Sequence, residues 1–325
     1  MRGRIVGTGH YLPQQVRTNH DLEQFMDTTD AWIRQRTGIG QRHLAAPEEA
    51  TSDLATQACR AAMADAGLGP GDIDLLICCT TTPDHLFPAT ACLVQHQLGL
   101  PCAGACDVNA ACSGFIYGIA TANAFIQAGV YRTVLVVGAE KVTNRLNWSQ
   151  RETAVLFGDG AGAVVIQARD GEFGIQNTFL ASDGGEADLL ILPGGGSRTP
   201  PTPENIGTPV HDFQMKGREL FKRAVGAFGQ AIQRAMDAGG ITVDELDLLV
   251  PHQANARIIG AAARRLGIPD EKVFLNIEHV ANTTAASIPI ALDEARRVGA
   301  IQEGSMVVLA SFGAGLTWAS ALLRW

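Results

Sequence analysis

The chain reads as an α/β protein made of two similar halves, with mostly buried sheets covered by helices, and three observations predict this class. Segments rich in Val, Ile and Leu at 75–79, 133–137, 163–166, 246–250 and 306–310 alternate with helical patterns, as expected where helices cover both faces of a sheet. An internal echo runs through the chain. Met63-Ala-Asp-Ala-Gly67 followed by Asp72-Ile-Asp-Leu-Leu-Ile77 returns as Met236-Asp-Ala-Gly-Gly240 followed by Glu245-Leu-Asp-Leu-Leu-Val250, at a constant offset of 173 residues (247 − 74). Finally, 46% hydrophobic residues and 36 glycines in 325 residues supply a large core and many tight turns.

Taken in order, each echoed copy is an amphipathic helix ending at Gly, a short turn, and an apolar strand beginning after Asp. A weaker echo links Phe157-Gly-Asp-Gly-Ala-Gly162 with Phe312-Gly-Ala-Gly315, two glycine turns that each lead into a strand. The halves are expected to meet near residue 170. Residues 1–170 then carry a cysteine of interest, and 171–325 a histidine and an asparagine. The stretch from Pro193 to Pro203, continuing to Pro209, is too dense in Gly and Pro for regular structure. It reads as a surface excursion, either a lid near a ligand mouth or a plain solvent loop.

Charge and composition exclude several functions. A net charge of −8 and a pI near 5.5 argue against a general polyanion-binding surface, so nucleic acid is not expected as a partner. No apolar run reaches the roughly 18 residues of a membrane span, and no secretory leader is visible, which leads to the expectation of a cytoplasmic protein without membrane association. Seven cysteines fall at 59, 78, 79, 92, 102, 106 and 112, an odd number without paired CxxC spacing. Apart from Cys112 they read as core or near-core residues in a reduced compartment, with neither disulfides nor metal ligation.

Cys112 ends a strand-like segment, Gly104 to Asn109, and opens a helix-forming run. A thiol at a helix N-terminus lies in the positive end of the helix dipole, which favours thiolate and makes sulfur a nucleophile. His252, in Val250-Pro-His-Gln-Ala-Asn255, and Asn282, in Ala281-Asn-Thr-Thr-Ala-Ala-Ser-Ile-Pro289, are expected at further strand-to-helix junctions. Singly, each has a plain reading as a small buried group, a strand-end side chain and a helix N-cap. Together they read as a site assembled by the fold. Gly158-Asp-Gly160-Ala-Gly162 and Gly7-Thr-Gly9 lack dinucleotide-fingerprint spacing and read as close turns. The turn at Phe312–Gly315 can offer a backbone N–H to an oxyanion. Basic residues at Arg36, Arg145, Arg151, Arg218, Lys222, Arg257 and Arg264 in an acidic chain suit an anionic ligand or carrier.

Trp32 with Arg36-Thr-Gly-Ile39, Asn109-Ala-Ala-Cys-Ser-Gly-Phe115, the Phe157 glycine turn, Pro251-His-Gln-Ala-Asn255, Asn282-Thr-Thr-Ala-Ala-Ser-Ile-Pro289 and Phe312-Gly-Ala-Gly-Leu-Thr-Trp318 follow one another in a characteristic order. The chain resembles the β-ketoacyl-acyl carrier protein synthase III family from Gly7 to its C-terminus. The resemblance implies a thiolase-like αβαβα five-layered sandwich, a homodimer, and a decarboxylative condensation of an acyl group from acyl-CoA with malonyl-acyl carrier protein. It implies no cofactor, acyl-CoA being a substrate, and no metal. By the same resemblance Cys112 is the nucleophile, the backbone N–H groups of Cys112 and Gly313 form the oxyanion hole, and His252 and Asn282 bind the malonyl thioester carbonyl. Trp32 and Arg151 would sandwich the CoA adenine, with Thr28 and Arg36 as further CoA contacts and Asn255 lining the pantetheine tunnel. Phe87 would close the acyl pocket of a partner subunit, and Lys222 and Arg257 would meet the carrier protein. Ala281 and Ala314 stand where the family commonly has Gly, which bears on backbone geometry because Ala resists positive φ. Two rivals share these residues: a related acyltransferase of secondary metabolism, and a Cys-His-Asn thioester hydrolase. The preferred acyl primer is left open.

Overall fold

In the computed structural model, which describes residues 1–325, Gly67 and Gly240 end the two echoed helices, Thr51–Ala66 and Gly217–Gly239, in the left-handed conformation at φ +66° and +64°. The next N–H in each copy, that of Leu68 or Ile241, donates back to Met63 or Met236 at 3.0 and 3.1 Å, closing the helix in the same way. Asp74 and Asp247 then enter their strands by donating to Thr133 and Met306 carbonyls, each at 3.0 Å. The 173-residue offset therefore repeats a hydrogen-bonded unit as well as a spelling.

Each unit feeds one sheet. The first has the strand order Arg2–Tyr11, Gly160–Arg169, Thr133–Glu140, Leu75–Cys79, Gly104–Val108. Its first two pairings are antiparallel and its last two parallel. The second sheet runs Gly174–Ser182, Thr317–Arg324, Met306–Gly313, Leu248–Pro251, with two antiparallel pairings and then a parallel one. It repeats the first four strands of the other sheet in order and direction. The chain crosses between sheets in the turn between Arg169 and Gly174.

Five layers result. The helices Thr51–Ala66 and Thr90–Leu98 cover the outer face of the first sheet through Leu54, Ala58, Val94 and Leu98. Between the sheets lie Gly114–Gln127 and Ser287–Arg297, whose Phe115, Ile119, Ile288 and Leu292 pack with Val134, Val136, Val307 and Leu309 from both sheets. The helix Gly114–Gln127 is apolar nearly all round because both its sides face a sheet. Gly217–Gly239 and Ala256–Arg265 cover the second sheet's outer face through Phe228, Ile232 and Ala262. No helix is long and apolar enough to cross a membrane.

One expectation needs correction. All seven cysteines are free, but Cys92, Cys102 and Cys106 are exposed rather than near the core. Cys106 sits on the outermost strand of the first sheet, which pairs on one side only. The Gly/Pro-rich excursion has no helix or strand from 193 to 208, as expected, and is held at its base, where Leu190–Ile191 pairs with Gln214–Met215. Phe213 stacks on Phe157 with ring centroids 5.6 Å apart, and Asn147 donates to Asp212 at 3.1 Å.

Candidate active site

The edge strand Gly104–Val108 delivers the chain to Asn109, whose side-chain oxygen accepts from the Ala111 N–H at 3.2 Å. Cys112 sits in the following 3-10 turn, Ala111–Ser113, which leads directly into the helix Gly114–Gln127. The thiol is thus placed at a helix N-terminal end, as the sequence predicts. His252 follows the strand Leu248–Pro251, with its N–H donating to Ala310 at 2.8 Å, and neither of its buried ring nitrogens has a protein partner.

Asn282 is not at a strand-to-helix junction. It follows the one-turn helix Ile277–Val280 and Ala281, which adopts φ +65° and ψ −164°. Its backbone is held from the first half of the chain, donating to Leu156 and accepting from Gly158, both at 3.0 Å. The Asn282 Oδ1 accepts from Thr284 N–H at 2.9 Å, two residues on, which orients the amide at the start of the 3-10 turn Thr284–Ala286. Its Nδ2 remains as a donor without a protein acceptor.

These three side chains line one cavity of about 120 Å³, walled by Phe157, Phe312, Leu220, Phe221 and Met215. Burial governs its electrostatics. The His252 pKa is lowered to about 3, so the imidazole is neutral at physiological pH. The Cys112 thiol is pushed up to about 12 by burial, with buried Glu140 adding to the rise, while the backbone N–H groups of Cys112 and Ala314 act in the opposite direction. Burial thus works against the thiolate that the helix end favours, and the same burial keeps the imidazole neutral. Glu140, which ends the apolar strand Thr133–Glu140, is itself raised by burial and accepts from Thr81 and Thr82 hydroxyls at 3.0 and 2.7 Å.

The second backbone N–H at the Cys112 sulfur is that of Ala314, in the same turn as Gly313. Gly313 packs against the nucleophile segment, since a Cβ there would lie 2.7 Å from Cys112 N and 2.9 Å from its Cβ. Sequence reading missed Ala314 and Glu140. The Gly-Ala-Gly turn and a lone carboxylate ending an apolar strand were the available signals.

A wider cleft of about 400 Å³ opens outward, lined by Trp32, Arg36, Arg151, Asn255 and Arg257. Leu156, Met215, Phe221 and Asn255 border both spaces, so the buried cavity and the cationic mouth are neighbours. The guanidinium groups of Arg36 and Arg151 lie 4.9 and 4.4 Å from the Trp32 ring centroid. Arg151 also donates to the Asp27 carbonyl at 2.8 Å. Asn255 caps the helix Ala256–Arg265 by accepting from Arg257 N–H at 2.9 Å and donates to the Arg36 carbonyl at 3.0 Å. Thr28 is next to Asp27 but does not line the cleft, and its buried hydroxyl is unpartnered. Lys222 is exposed on the helix Gly217–Gly239 outside both spaces, whereas Arg257 lies over Phe221 at 5.6 Å. Phe87 is 86% exposed and away from the cavity of its own chain.

Duplicated sheets around two central helices, with Cys, His and Asn meeting beneath a cationic mouth, define a thiolase-like condensing enzyme. Residues 106–184 match the family 3-oxoacyl-[acyl-carrier-protein (ACP)] synthase III, and residues 236–325 match its C-terminal part. The β-ketoacyl-acyl carrier protein synthase III of Caldanaerobacter subterraneus subsp. tengcongensis is 48% identical over 99% of this chain and 97% of its own length. The corresponding Desulfitobacterium hafniense protein is 49% identical over the same shares. The crystal structure of the Aquifex aeolicus synthase III superposes with a TM-score of 0.92 at 45% identity, covering 99% of this chain and all of that one. The chain belongs to the 3-oxoacyl-acyl carrier protein synthase III family, and is an acyltransferase, the condensing enzyme that initiates fatty-acid synthesis.

Proposed function

We propose that Cys112 takes a short acyl group from acyl-CoA and that His252 and Asn282 serve its condensation with malonyl-acyl carrier protein. The carrying observation is their convergence on one apolar cavity beside a cationic, Trp-lined cleft. In the first half-reaction the Cys112 sulfur attacks the thioester carbonyl, the C–S bond to CoA breaks, and the thiol proton ends on the departing CoA sulfur. The backbone N–H of Cys112 and one from the Gly313–Ala314 turn serve the oxygen that becomes negative, and those of Cys112 and Ala314 already lie at the sulfur.

In the second, the malonyl C–C bond breaks, carbon dioxide leaves, and the electron pair forms an enolate at the thioester. His252 and Asn282 each offer it an N–H. A neutral imidazole suits this role because it donates without a counter-ion and stays a donor across neutral pH. The carbanion attacks the acyl carbonyl, the bond to Cys112 breaks, and a proton from solvent restores the thiol. Each atom in the sequence comes from substrates, residues or water, so the reading needs no resident cofactor.

Trp32, Arg36 and Arg151 take the nucleotide end of CoA. Arg151 must swing from Trp32 to admit an adenine, since the two already lie within stacking distance. Asn255, bordering both spaces, lines the pantetheine path, and Thr28, outside the cleft lining, is left as a CoA contact beyond it. Lys222 and Arg257 face the acidic carrier protein; neither has a carboxylate partner. Exposed Leu86 and Phe87 fit a second copy of the chain, with Phe87 closing the partner's acyl pocket. In this reading residues 1–170 and 171–325 form the two thiolase-like units and the enzyme works in the cytoplasm.

The hydrolase alternative requires water at the acyl-enzyme, and the apolar walls around Cys112 disfavour it. The secondary-metabolism alternative has a specific relative in the priming β-ketosynthase of the R1128 polyketide pathway, at 34% identity and a TM-score of 0.92. A panel of acyl-CoAs with malonyl-acyl carrier protein, followed by mass measurement of the protein, decides primer and nucleophile together. One acyl mass should appear on the wild type and none on Cys112→Ser. A label mapped to Cys102 or Cys106 would overturn the assignment.

A further inference from the structure

Gln253, directly after His252, is fully buried, yet it does not line the cavity and hydrogen-bonds to no other side chain. All four of its hydrogen bonds go to backbone. Nε2 donates to the Pro251 and Phe274 carbonyls at 2.9 and 3.1 Å, and Oε1 accepts from the Asn276 and Ile277 N–H groups, each at 3.2 Å. The two donors and two acceptor positions of the amide are all used.

The bonded groups belong to two different loops. Pro251 ends the strand that presents His252, whereas Asn276 and Ile277 begin the one-turn helix that runs through Val280 and Ala281 to Asn282. A backbone bond from Phe274 to Leu249 at 2.9 Å joins these loops further from the site. Nearer the cavity, the attachments diverge: His252 is tied to Ala310 in the second sheet, and Asn282 to Leu156 and Gly158. The Gln253 amide bridges the two loops where they part.

We infer that Gln253 is a positioning residue which sets the spacing between the two enolate donors, acting through the backbones that carry His252 and Asn282. This rests on the donor roles proposed above. The residue touches no substrate, and Cys112 is anchored on other elements, so its influence is confined to the decarboxylating half-reaction. A uniform packing role would weaken both halves alike.

The test measures the half-reactions separately in Gln253→Met, which keeps volume and removes all four bonds, and in Gln253→Glu, which keeps the acceptor side and sets a carboxylate against two carbonyls. Acylation of Cys112 by acetyl-CoA is followed by protein mass, and labelled carbon dioxide release by malonyl-acyl carrier protein turnover. Both variants should acylate within about threefold of wild type while decarboxylation falls about 10- to 100-fold, the cost of a displacement of up to ~1 Å at a reacting group. The fall should lie in kcat, with KM for the malonyl carrier unchanged. If Gln253→Met does not fold, the nearly isosteric Gln253→Glu carries the same expectation. Parallel loss of both half-reactions, or loss of neither, overturns the inference. His252→Ala measured alongside separates the two levels: if it decarboxylates normally the donor reading fails, and if it alone is impaired only the Gln253 inference fails.

Discussion

Replacing Gly313 by Ala tests the closest approach in the site. The added methyl would sit 2.7 Å from Cys112 N, 2.9 Å from its Cβ and 3.2 Å from its Cα, where ordinary contact begins at 3.4 Å. The obstacle is the backbone of the nucleophile, so no side-chain rotation relieves it, and one of the two segments must retreat by about 0.7 Å, the gap between contact and clash. Displacements near 1 Å at a reacting group cost roughly 10²-fold in rate, and overpacking costs about 1–3 kcal/mol of stability. Gly313→Ala should therefore acylate Cys112 about 10- to 100-fold more slowly, with a lowered unfolding midpoint. Ala314→Gly is the control: it retains the N–H that faces the sulfur, so acylation should stay close to wild type. Time-resolved protein mass after mixing with acetyl-CoA reads the rate, and thermal unfolding reads the stability. Acylation of Gly313→Ala within about threefold of wild type would refute the claim that this contact fixes the nucleophile.

Arg36→Ala or Arg151→Ala should raise KM for CoA thioesters about tenfold or more, the loss of a charge-assisted contact of about 1.5–3 kcal/mol. Pantetheine thioesters should be indifferent, and equal losses on both would count against a nucleotide site. His252→Ala and Asn282→Ala should still take up an acyl group while condensation falls about 10²- to 10³-fold, from loss of roughly 2.7–4 kcal/mol; decarboxylation at the wild-type rate without acyl uptake would move the pair to nucleophile activation and favour the hydrolase-like arrangement. Asp293 gives a pH prediction. Burial pushes its pKa up, but bonds from His10, Arg297 and Thr8 outweigh it and hold the group at about 2, below its ordinary 3.8. Such a depressed carboxyl contributes stability above its unfolded pKa, on the order of 2 kcal/mol, and loses it as pH falls from about 4 towards 2. Asp293→Asn should be less stable than wild type in denaturant at pH 7, with the gap narrowing below pH 3; a gap of equal size at both pH values would sink the linkage.

The duplication was legible because it is a pattern of period and punctuation: a helix, a left-handed glycine, an Asp, an apolar strand. Such features are local, and Gly67 with Gly240 carries them into the structure unchanged. Cys112 and His252 were legible for a related reason, as each follows a strand that the apolar run already marks. Asn282 could be singled out by its polar-small surroundings, but not its setting, because the segment before it is a single turn pinned by bonds to Leu156 and Gly158 more than a hundred residues away in sequence. Nor does sequence give the direction of a peptide N–H within a tight turn. The N–H of this turn that lies at the sulfur is that of Ala314, next to the Gly313 singled out from sequence. The exposed thiols failed for a similar reason: Cys106 lies on an edge strand, and only the sheet order says which strand is the edge.

The ionisation of Cys112 shows most clearly where local reading stops. A helix N-terminus is visible in sequence and favours thiolate, typically by about 0.3–1 kcal/mol and at most about 2 kcal/mol. Burial is a property of the assembled layers, and full burial can shift an ionisable group by about 3–5 pKa units, each worth about 1.4 kcal/mol. The second effect is larger, and the thiol is accordingly raised to about 12 while His252 is lowered to about 3. Both groups disfavour charge for the same reason, so between these values the pair rests as thiol and imidazole, and transferring the proton from one to the other would charge both partners in an apolar surround. On the proposed mechanism the thioester carbonyl carries the negative charge against backbone N–H groups, which ties attack by sulfur to the arrival of substrate.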